Sequence, residues 1–370
     1  MLVAGEASGD LHAADLVAAM RRLLPGLEVT GIAGAGARSE GMTTLLDTSE
    51  VATMGLTEVA EKGRVLWRAY RRLRREIRED PPDLLVLIDF PEFNLALARV
   101  AKRAGVPVFY YVSPQVWAWR RGRVRKILRR VDRLAVVFPF EAEVYGRSEK
   151  VVYVGHPLLD RVRVTATPAD TLARHGFSAD RPLVTLLPGS RLREIEHLLP
   201  PMAGAAGLLA TRRPLQFALA LAPTLPRALA ERLLGRAAGL IRLVESDTYN
   251  LISASALVLA TSGTVTLETA LLERPMVLMY RTSRLTYLVA RMAVDVPAIG
   301  MPNLIAGRQI VPELLQGEVR PERIAAEAEA ILADPERARK MSADLAAVRG
   351  SLGPRGAAER AARLAVELLR

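Results

Sequence analysis

Two patterns of apolar residues alternate along the chain. Short, nearly unbroken apolar runs recur, and between them lie longer stretches in which apolar residues return every three or four positions. The first pattern suits a strand buried on both faces and the second a helix with one apolar side, so their alternation predicts parallel α/β layers. In the first half, strands are predicted at 2–4, 27–33, 83–89 (DLLVLID), 106–112 (VPVFYYV) and from Leu134 to Val137, where Pro139 stops the run. Helices are predicted at 11–24, closed by Pro25-Gly26, and at 61–79, 95–104 and 120–130. The pattern breaks after Asp160. Residues 161–181 are of mixed polarity, contain Pro168, and read as a linker with a short helix. A second series then opens at Leu183, with further strands at 215–221, 241–244, 256–260 and 276–279, and helices at 321–334, 336–349 and 356–369.

At 370 residues the chain is too long for one α/β core. The patterns divide it into an N-terminal Rossmann-like domain at 1–160, a linker at 161–180, a C-terminal Rossmann-like domain at 181–350, and a terminal helix at 351–370 that can return to the first domain. The predicted class is α/β, with two doubly wound domains in series. In such sheets ligands gather at the carboxyl ends of the strands, and between the domains when there are two.

Two strand–turn–helix units of the second domain look built for an anion. LVTLLPGSRLRE at 183–194 and ALVLATSGTVTLE at 256–268 each run an apolar strand into a small-residue turn and then a helix. Such a junction leaves the first backbone N–H groups of the helix aimed at one point, which suits phosphate. Gly189, Ser190, Ser262, Gly263 and Thr264 form the turns, with Arg191 beside the first and Glu268 a helical turn beyond the second. Either turn alone could merely close a loop. The pair suggests a nucleotide diphosphate.

Composition narrows the chemistry. There is no cysteine, which excludes disulfides, thiolate metal sites and a cysteine nucleophile. The four histidines lack metal-ligand spacing, and no DxD motif occurs, so no metal and no cofactor is expected. No signal peptide is visible and no apolar stretch is long enough to span a bilayer, which predicts a cytoplasmic, soluble or peripheral protein. The balance of 51 Lys+Arg against 40 Asp+Glu, a net charge of +11, suits an anionic partner. Arginine usage can raise such a surplus without function, but here the arginines cluster at 64–78 and 120–133.

Other candidates lie at strand ends of the first domain. Glu6, Ser8, Gly9 and Asp10 follow the first strand, and the two carboxylates there favour neutral hydroxyls over bare phosphate. Asp89 ends a wholly apolar strand, where a carboxylate is costly unless paired or used. Glu92 and Asn94 are better placed to cap the next helix, which leaves Asp89 as a candidate base. Ser113-Pro114-Gln115-Val116-Trp117-Ala118-Trp119-Arg120 sets two tryptophans at i, i+2, as core or as a wall contacting sugar or lipid.

Together these segments resemble the bacterial lipid A disaccharide synthase family, nearly end to end. The resemblance is carried by AGEASGD at 4–10, MGLTEV at 54–59, LIDFPEFN at 87–94, YYVSPQVWAWR at 110–120, VGHPLLD at 154–160, LLPGSRLREIE at 186–196, SGTVTLE at 262–268, PMVLMYR at 275–281 and MPNLIAGRQIVPELLQ at 301–316. It implies the GT-B plan of nucleotide-sugar glycosyltransferases, with the active site in the interdomain cleft. It also implies an inverting transfer from UDP-2,3-diacylglucosamine to 2,3-diacylglucosamine 1-phosphate (lipid X), giving the β-1′,6-linked disaccharide 1-phosphate and UDP. By this resemblance Asp89 and Arg191 match the family's essential residues, Glu268 stands where GT-B enzymes commonly hold the donor ribose, and Asn303 with the 305–307 turn matches the segment near the uracil. Ser113 and Trp117 become substrate-binding candidates. The implied setting is the cytoplasmic face of the inner membrane, with an anionic membrane surface as partner, no nucleic acid, and room for a homodimer.

There are departures. Glutamate stands at 92 where the family usually has aspartate, which argues against position 92 as the base, and His12 and Ala13 replace residues that are often small. Few residues precede AGEASGD, which predicts either a start set too far downstream or a shortened first strand and a weakened domain. Rival readings are another enzyme using UDP-N-acetylglucosamine, of the 2-epimerase or peptidoglycan transferase type, and a basic membrane- or nucleic-acid-binding module without turnover.

The helix predicted at 61–79 bears on the membrane. Leu66, Tyr70, Leu73 and Ile77 recur at spacings of four, three and four, with arginines over much of the remainder. An apolar stripe flanked by arginines suits an interfacial helix, so Leu66, Trp67, Tyr70 and Leu73 are predicted to touch the bilayer. The alternative is an ordinary packed helix with a solvated basic face.

Overall fold

The structure is a computed structural model that describes residues 1–5, 7–48, 59–114, 116–117, 121–282 and 298–369. Glu6, most of the MGLTEV motif and Trp119 lie outside the described residues. The chain forms two compact units, Met1–Asp160 together with Leu352–Arg370, and Arg161–Ser351.

Unit one holds a seven-stranded sheet built from β1 (Leu2–Ala4), β2 (Thr30–Ala33), β3 (Thr43–Asp47), β4 (Leu85–Ile88), β5 (Val108–Tyr111), β6 (Arg133–Val136) and β7 (Val151–Tyr153). Its order is β3-β2-β1-β4-β5-β6-β7, and every pairing is parallel. Short as it is, β1 is bonded on both sides: Leu2 pairs with Gly31 and Val86, and Val3 with Ile32 and Leu87. β4 and β5 are buried along their whole length, which is why their sequences are unbroken apolar runs.

Unit two repeats the plan with six strands: β8 (Leu183–Leu187), β9 (Gln216–Leu221), β10 (Ile241–Glu245), β11 (Leu257–Thr261), β12 (Met276–Tyr280) and β13 (Glu313–Leu315). The order is β10-β9-β8-β11-β12-β13, again parallel throughout. In both units the strand order reverses beside the first strand, between β1 and β4 and between β8 and β11. The crevice at the carboxyl end of such a reversal is the usual ligand site of an open α/β sheet. The turns after β1, β4, β8 and β11 are AGEASGD, DFPEFN, PGSR and TSGT.

Three helices of unit one bear on its site and its surface. α1 (Ala7–Leu23) starts four residues earlier than its apolar pattern suggests. α2 (Val59–Glu79) is the basic helix. α3 (Pro91–Arg103) begins with proline in its first turn, where a missing N–H costs nothing. The helix predicted at 120–130 is reduced to Val124–Leu128 after a short 3₁₀ turn. The terminal helix, Ala357–Glu367, lies in unit one. Arg22 pairs with Glu359 at 2.9 Å, Asp160 accepts from Gly356 N at 2.9 Å, and Arg360 donates to the Val154 carbonyl at 2.8 Å.

α2 corrects one expectation. Its stripe faces inward: Ala69, Leu73 and Ile77 are core residues beside β4 and α3, while Leu66 and Tyr70 are half-buried against that core. Leu73 is fully buried in the same apolar cluster as Leu85, Leu87 and Phe93, so it has no surface to offer a bilayer. Burying such a leucine stabilises the fold by about 1.5–3 kcal/mol. Trp67, off the stripe, is the one exposed large apolar residue among the described side chains of this helix, at 58%.

Candidate active site

At the reversal of unit one the backbone is forced. A Cβ on Gly5 would collide with the Phe90 ring, so the turn after β1 and the turn after β4 are packed directly together. Asp89 and Phe90 both have left-handed φ, at 46° and 48°, and Val112, which follows Tyr111 on neighbouring β5, has φ 60°. A β-branched residue in that region is a real outlier, and such strain persists only where surrounding contacts impose it. Those contacts are visible. The Asp89 carbonyl accepts the Tyr110 hydroxyl at 2.5 Å and the Asn94 amide at 2.7 Å, and Asn94 also reaches the Ile88 carbonyl at 3.1 Å. Asn94 is fully buried and holds the main chain of Asp89 rather than capping α3. Ser8 and Gly9 lie in the first turn of α1, with Gly9 over Ala4 and Ile88. The half-buried Asp89 is therefore held at the mouth of the unit-one sheet by groups that grip its backbone.

Other candidates of unit one are placed differently from expectation. Asp10 is buried, and its carboxylate accepts from Gly34 N at 2.7 Å, Gly36 N at 2.9 Å and Ala37 N at 3.1 Å. Three of its acceptor sites are engaged in fixing the turn after β2. Ser113 is buried and donates to Glu141 at 2.7 Å. Glu141 also accepts from Val137 N and Phe138 N at 3.0 and 2.9 Å, and its burial raises its pKa. Trp117 is buried among Phe138 and Phe140, with ring centroids 6.3 and 5.2 Å away, an environment that matches the core alternative for this ring. Glu141 escapes the sequence reasoning above. An acid just after a strand end is the signal that singles out Asp89, and it applies here as well.

In unit two the predicted turns come together. Gly189, Ser190, Arg191, Ser262, Gly263, Thr264 and Glu268 line one cavity of about 310 Å³. That is at the small end of ligand pockets, which run to roughly 300–1,000 Å³. α4 (Leu192–Ala210) leaves the first turn and α5 (Thr264–Leu271) the second. Gly263 leads α5 with no side-chain cap, so this junction keeps the predicted anion-seeking form. The first junction does not. Glu194, in the first turn of α4, accepts from Ser190 N at 3.2 Å and Arg191 N at 3.4 Å, and pairs with the Arg191 guanidinium at 2.8 Å. The amides expected to await a phosphate have a carboxylate of their own, and the signal is an acid three residues beyond the cap position.

Glu268 is the second carboxylate lining the cavity. Burial raises its pKa, against a hydrogen bond from the Tyr249 hydroxyl at 3.4 Å and the positive charge of Arg161. Asn303 is the last correction. It is buried, donates to the Val311 carbonyl at 2.9 Å and to Glu313 at 2.6 Å, and accepts from Ile310 N and Val311 N at 2.7 and 2.9 Å. Two donors and two lone pairs are all an asparagine offers, so it braces its loop and has nothing left for a base. Among the described residues no cluster of three or more acidic or histidine side chains could hold a metal.

Comparison with known proteins decides the family. Residues 1–366 match the model of the family described as Lipid-A-disaccharide synthetase. The lipid-A-disaccharide synthase of Syntrophus aciditrophicus is 46% identical over 374 residues, covering 100% of this chain and 97% of the relative. That of Geobacter metallireducens is 48% identical over 373 residues with the same coverage. The chain belongs to the lipid-A-disaccharide synthase family. Members are glycosyltransferases, and the chain is an enzyme of lipid A disaccharide synthesis. Solved structures bear on the fold alone. The Staphylococcus aureus MnaA–UDP co-structure aligns with TM-score 0.65 at 16% identity, over 97% of this chain and 93% of that one. The glycotransferase of kitacinnamycin aligns with TM-score 0.64 at 15% identity, over 100% and 98%. The chain thus has the GT-B plan, which the UDP-GlcNAc 2-epimerase of Neisseria meningitidis shares at 14% identity, a likeness of fold alone.

Proposed function

We propose that the chain joins UDP-2,3-diacylglucosamine to lipid X in one inverting displacement, with the unit-two cavity holding the UDP and Asp89 acting as base. The observation that carries this reading is the position of the family's motifs: the PGSR and TSGT turns line one cavity, and Asp89 stands at the corresponding reversal of the other sheet. Asp89 takes the proton of the acceptor's 6-hydroxyl as that oxygen attacks the anomeric carbon. The bond from that carbon to the β-phosphate oxygen breaks, and UDP leaves with the electron pair. Arg191 and the amides leading α5 neutralise the charge that develops. Glu268 accepts from the ribose hydroxyls.

The membrane reading changes its residues. No described helix is long and apolar enough to cross a membrane. The outer face of α2 offers Trp67, with the Arg71 guanidinium 4.6 Å from its ring centroid, and an open groove lined by Arg68, Arg74 and Arg78. A ring at the headgroup level among arginines suits an anionic bilayer surface. Incubation with UDP-diacylglucosamine tests the enzymatic reading: UDP should appear only when lipid X is added. Release without acceptor, or none with it, would overturn the proposal.

A further inference from the structure

The cavity of unit two has an electrostatic oddity for a diphosphate site. Among its described lining residues stand one cation, Arg191, and two carboxylates, Glu194 and Glu268. Glu194 holds the donors of the first turn that would suit a phosphate. One of its oxygens accepts from both Ser190 N and Arg191 N, and the other holds the Arg191 guanidinium. The seat is shaped around it. Gly189 has φ 112°, and a Cβ there would strike the Glu194 carboxylate, so only glycine lets the carboxylate lie against the turn. The Thr224 hydroxyl donates to the Ser190 carbonyl at 2.7 Å, a further restraint on the turn. Carboxylate and phosphate oxygens are recognised by the same donors, and both cannot use these at once.

We propose that Glu194 is a built-in competitor for the donor's diphosphate: its carboxylate holds the amides and guanidinium of the PGSR turn, yields them when the diphosphate enters, and reclaims them as UDP leaves. The inference rests on the reading that this cavity holds UDP. It gives Glu194 a positioning role with a kinetic consequence. While it caps the turn it gathers the Arg191 guanidinium and the two amides on one carboxylate. Its return competes with the product and shortens the life of the UDP complex, since differences in affinity between related complexes lie mostly in the off-rate.

The test is a titration of wild type, Glu194→Gln and Glu194→Asp with UDP, UMP and uridine. Glutamine keeps the size and a weak acceptor for the amides but loses the charge, and aspartate keeps the charge but withdraws it by a methylene. Freed of a charge-assisted rival, E194Q should bind UDP about tenfold more tightly. E194D should gain less, uridine affinity should not change, and the UDP off-rate should fall by the factor the affinity gains. A cap with a purely structural role predicts the reverse, because loosening the turn can only weaken binding. Wild-type binding of UDP with unchanged or weaker binding by both variants overturns the proposal alone. Failure of all three proteins to bind UDP overturns the donor-site reading and the proposal with it. If E194Q does not fold, the comparison of E194D with wild type decides between the two outcomes.

Discussion

Replacing Asp89 by asparagine separates its proton chemistry from its place in the fold. Asp89 has left-handed φ of 46°, a region that asparagine tolerates nearly as well as aspartate. The bonds that hold it there, from Tyr110 at 2.5 Å and Asn94 at 2.7 Å, go to its main-chain carbonyl and survive any change of side chain. The cost in stability should therefore stay within about 1 kcal/mol. Alanine would add the left-handed penalty, about 1–2 kcal/mol, and blur the result. Loss of a general base should lower turnover by about 10²–10⁴-fold, equivalent to roughly 2.7–5.4 kcal/mol of barrier. UDP affinity should be unchanged, because the cavity assigned to UDP is lined by residues of unit two. The assay is disaccharide formation by the folded variant beside a UDP titration and a thermal melt. Turnover within a few-fold of wild type, in a variant that melts normally, would remove Asp89 from the role.

Three further outcomes are expected. Arg191→Ala should weaken UDP binding by roughly 10–100-fold, the worth of a charge-assisted contact, and unchanged affinity in a calorimetric titration would place Arg191 elsewhere. Trp67→Ser, and separately Arg68, Arg71, Arg74 and Arg78 changed to glutamate, should reduce sedimentation with anionic vesicles, whereas Leu73→Ala should instead cost about 2–5 kcal/mol of stability; wild-type sedimentation by both surface variants would refute the membrane face. His156 is buried beside the Phe138 ring, its Nδ1 accepts from Leu158 N at 3.2 Å, and burial lowers its pKa from 6.5 to about 3. The native state thus binds fewer protons than the unfolded chain, so the contribution is full above about pH 6.5 and is lost as pH falls towards 3, by up to about 1.4 kcal/mol per pH unit. His156→Asn should flatten that slope in denaturant melts taken between pH 7 and 4, and an unaltered slope would contradict it.

Apolar runs of β4, β5, β8, β9 and β11 betray themselves because both faces are covered, and each is readable within a residue or two. β3, β7 and β13 are not. They lie at sheet edges, are only partly buried, and carry sequences such as TTLLD that lack the signal of a doubly covered strand. The site divides in the same way. Turns at strand ends can be read locally, so PGSR, TSGT and Asp89 stand out. Asp10, Ser113 and Asn303 read as ligand contacts because a polar residue in a motif looks free in one dimension. Their partners, Gly34, Glu141 and Glu313, are brought to them by the fold. The stripe of α2 shows the same limit, since periodicity finds an apolar face but does not say whether protein or lipid covers it.

The most direct test of the proposed transfer is the structure of the product made from UDP-2,3-diacylglucosamine and lipid X by the purified protein. Proton and carbon NMR of the isolated lipid should show one new β-linkage from the donor's anomeric carbon to the acceptor's 6-oxygen, with one UDP released per disaccharide. Retention at the anomeric carbon would contradict the single displacement, and UDP release without any disaccharide would contradict the transfer itself.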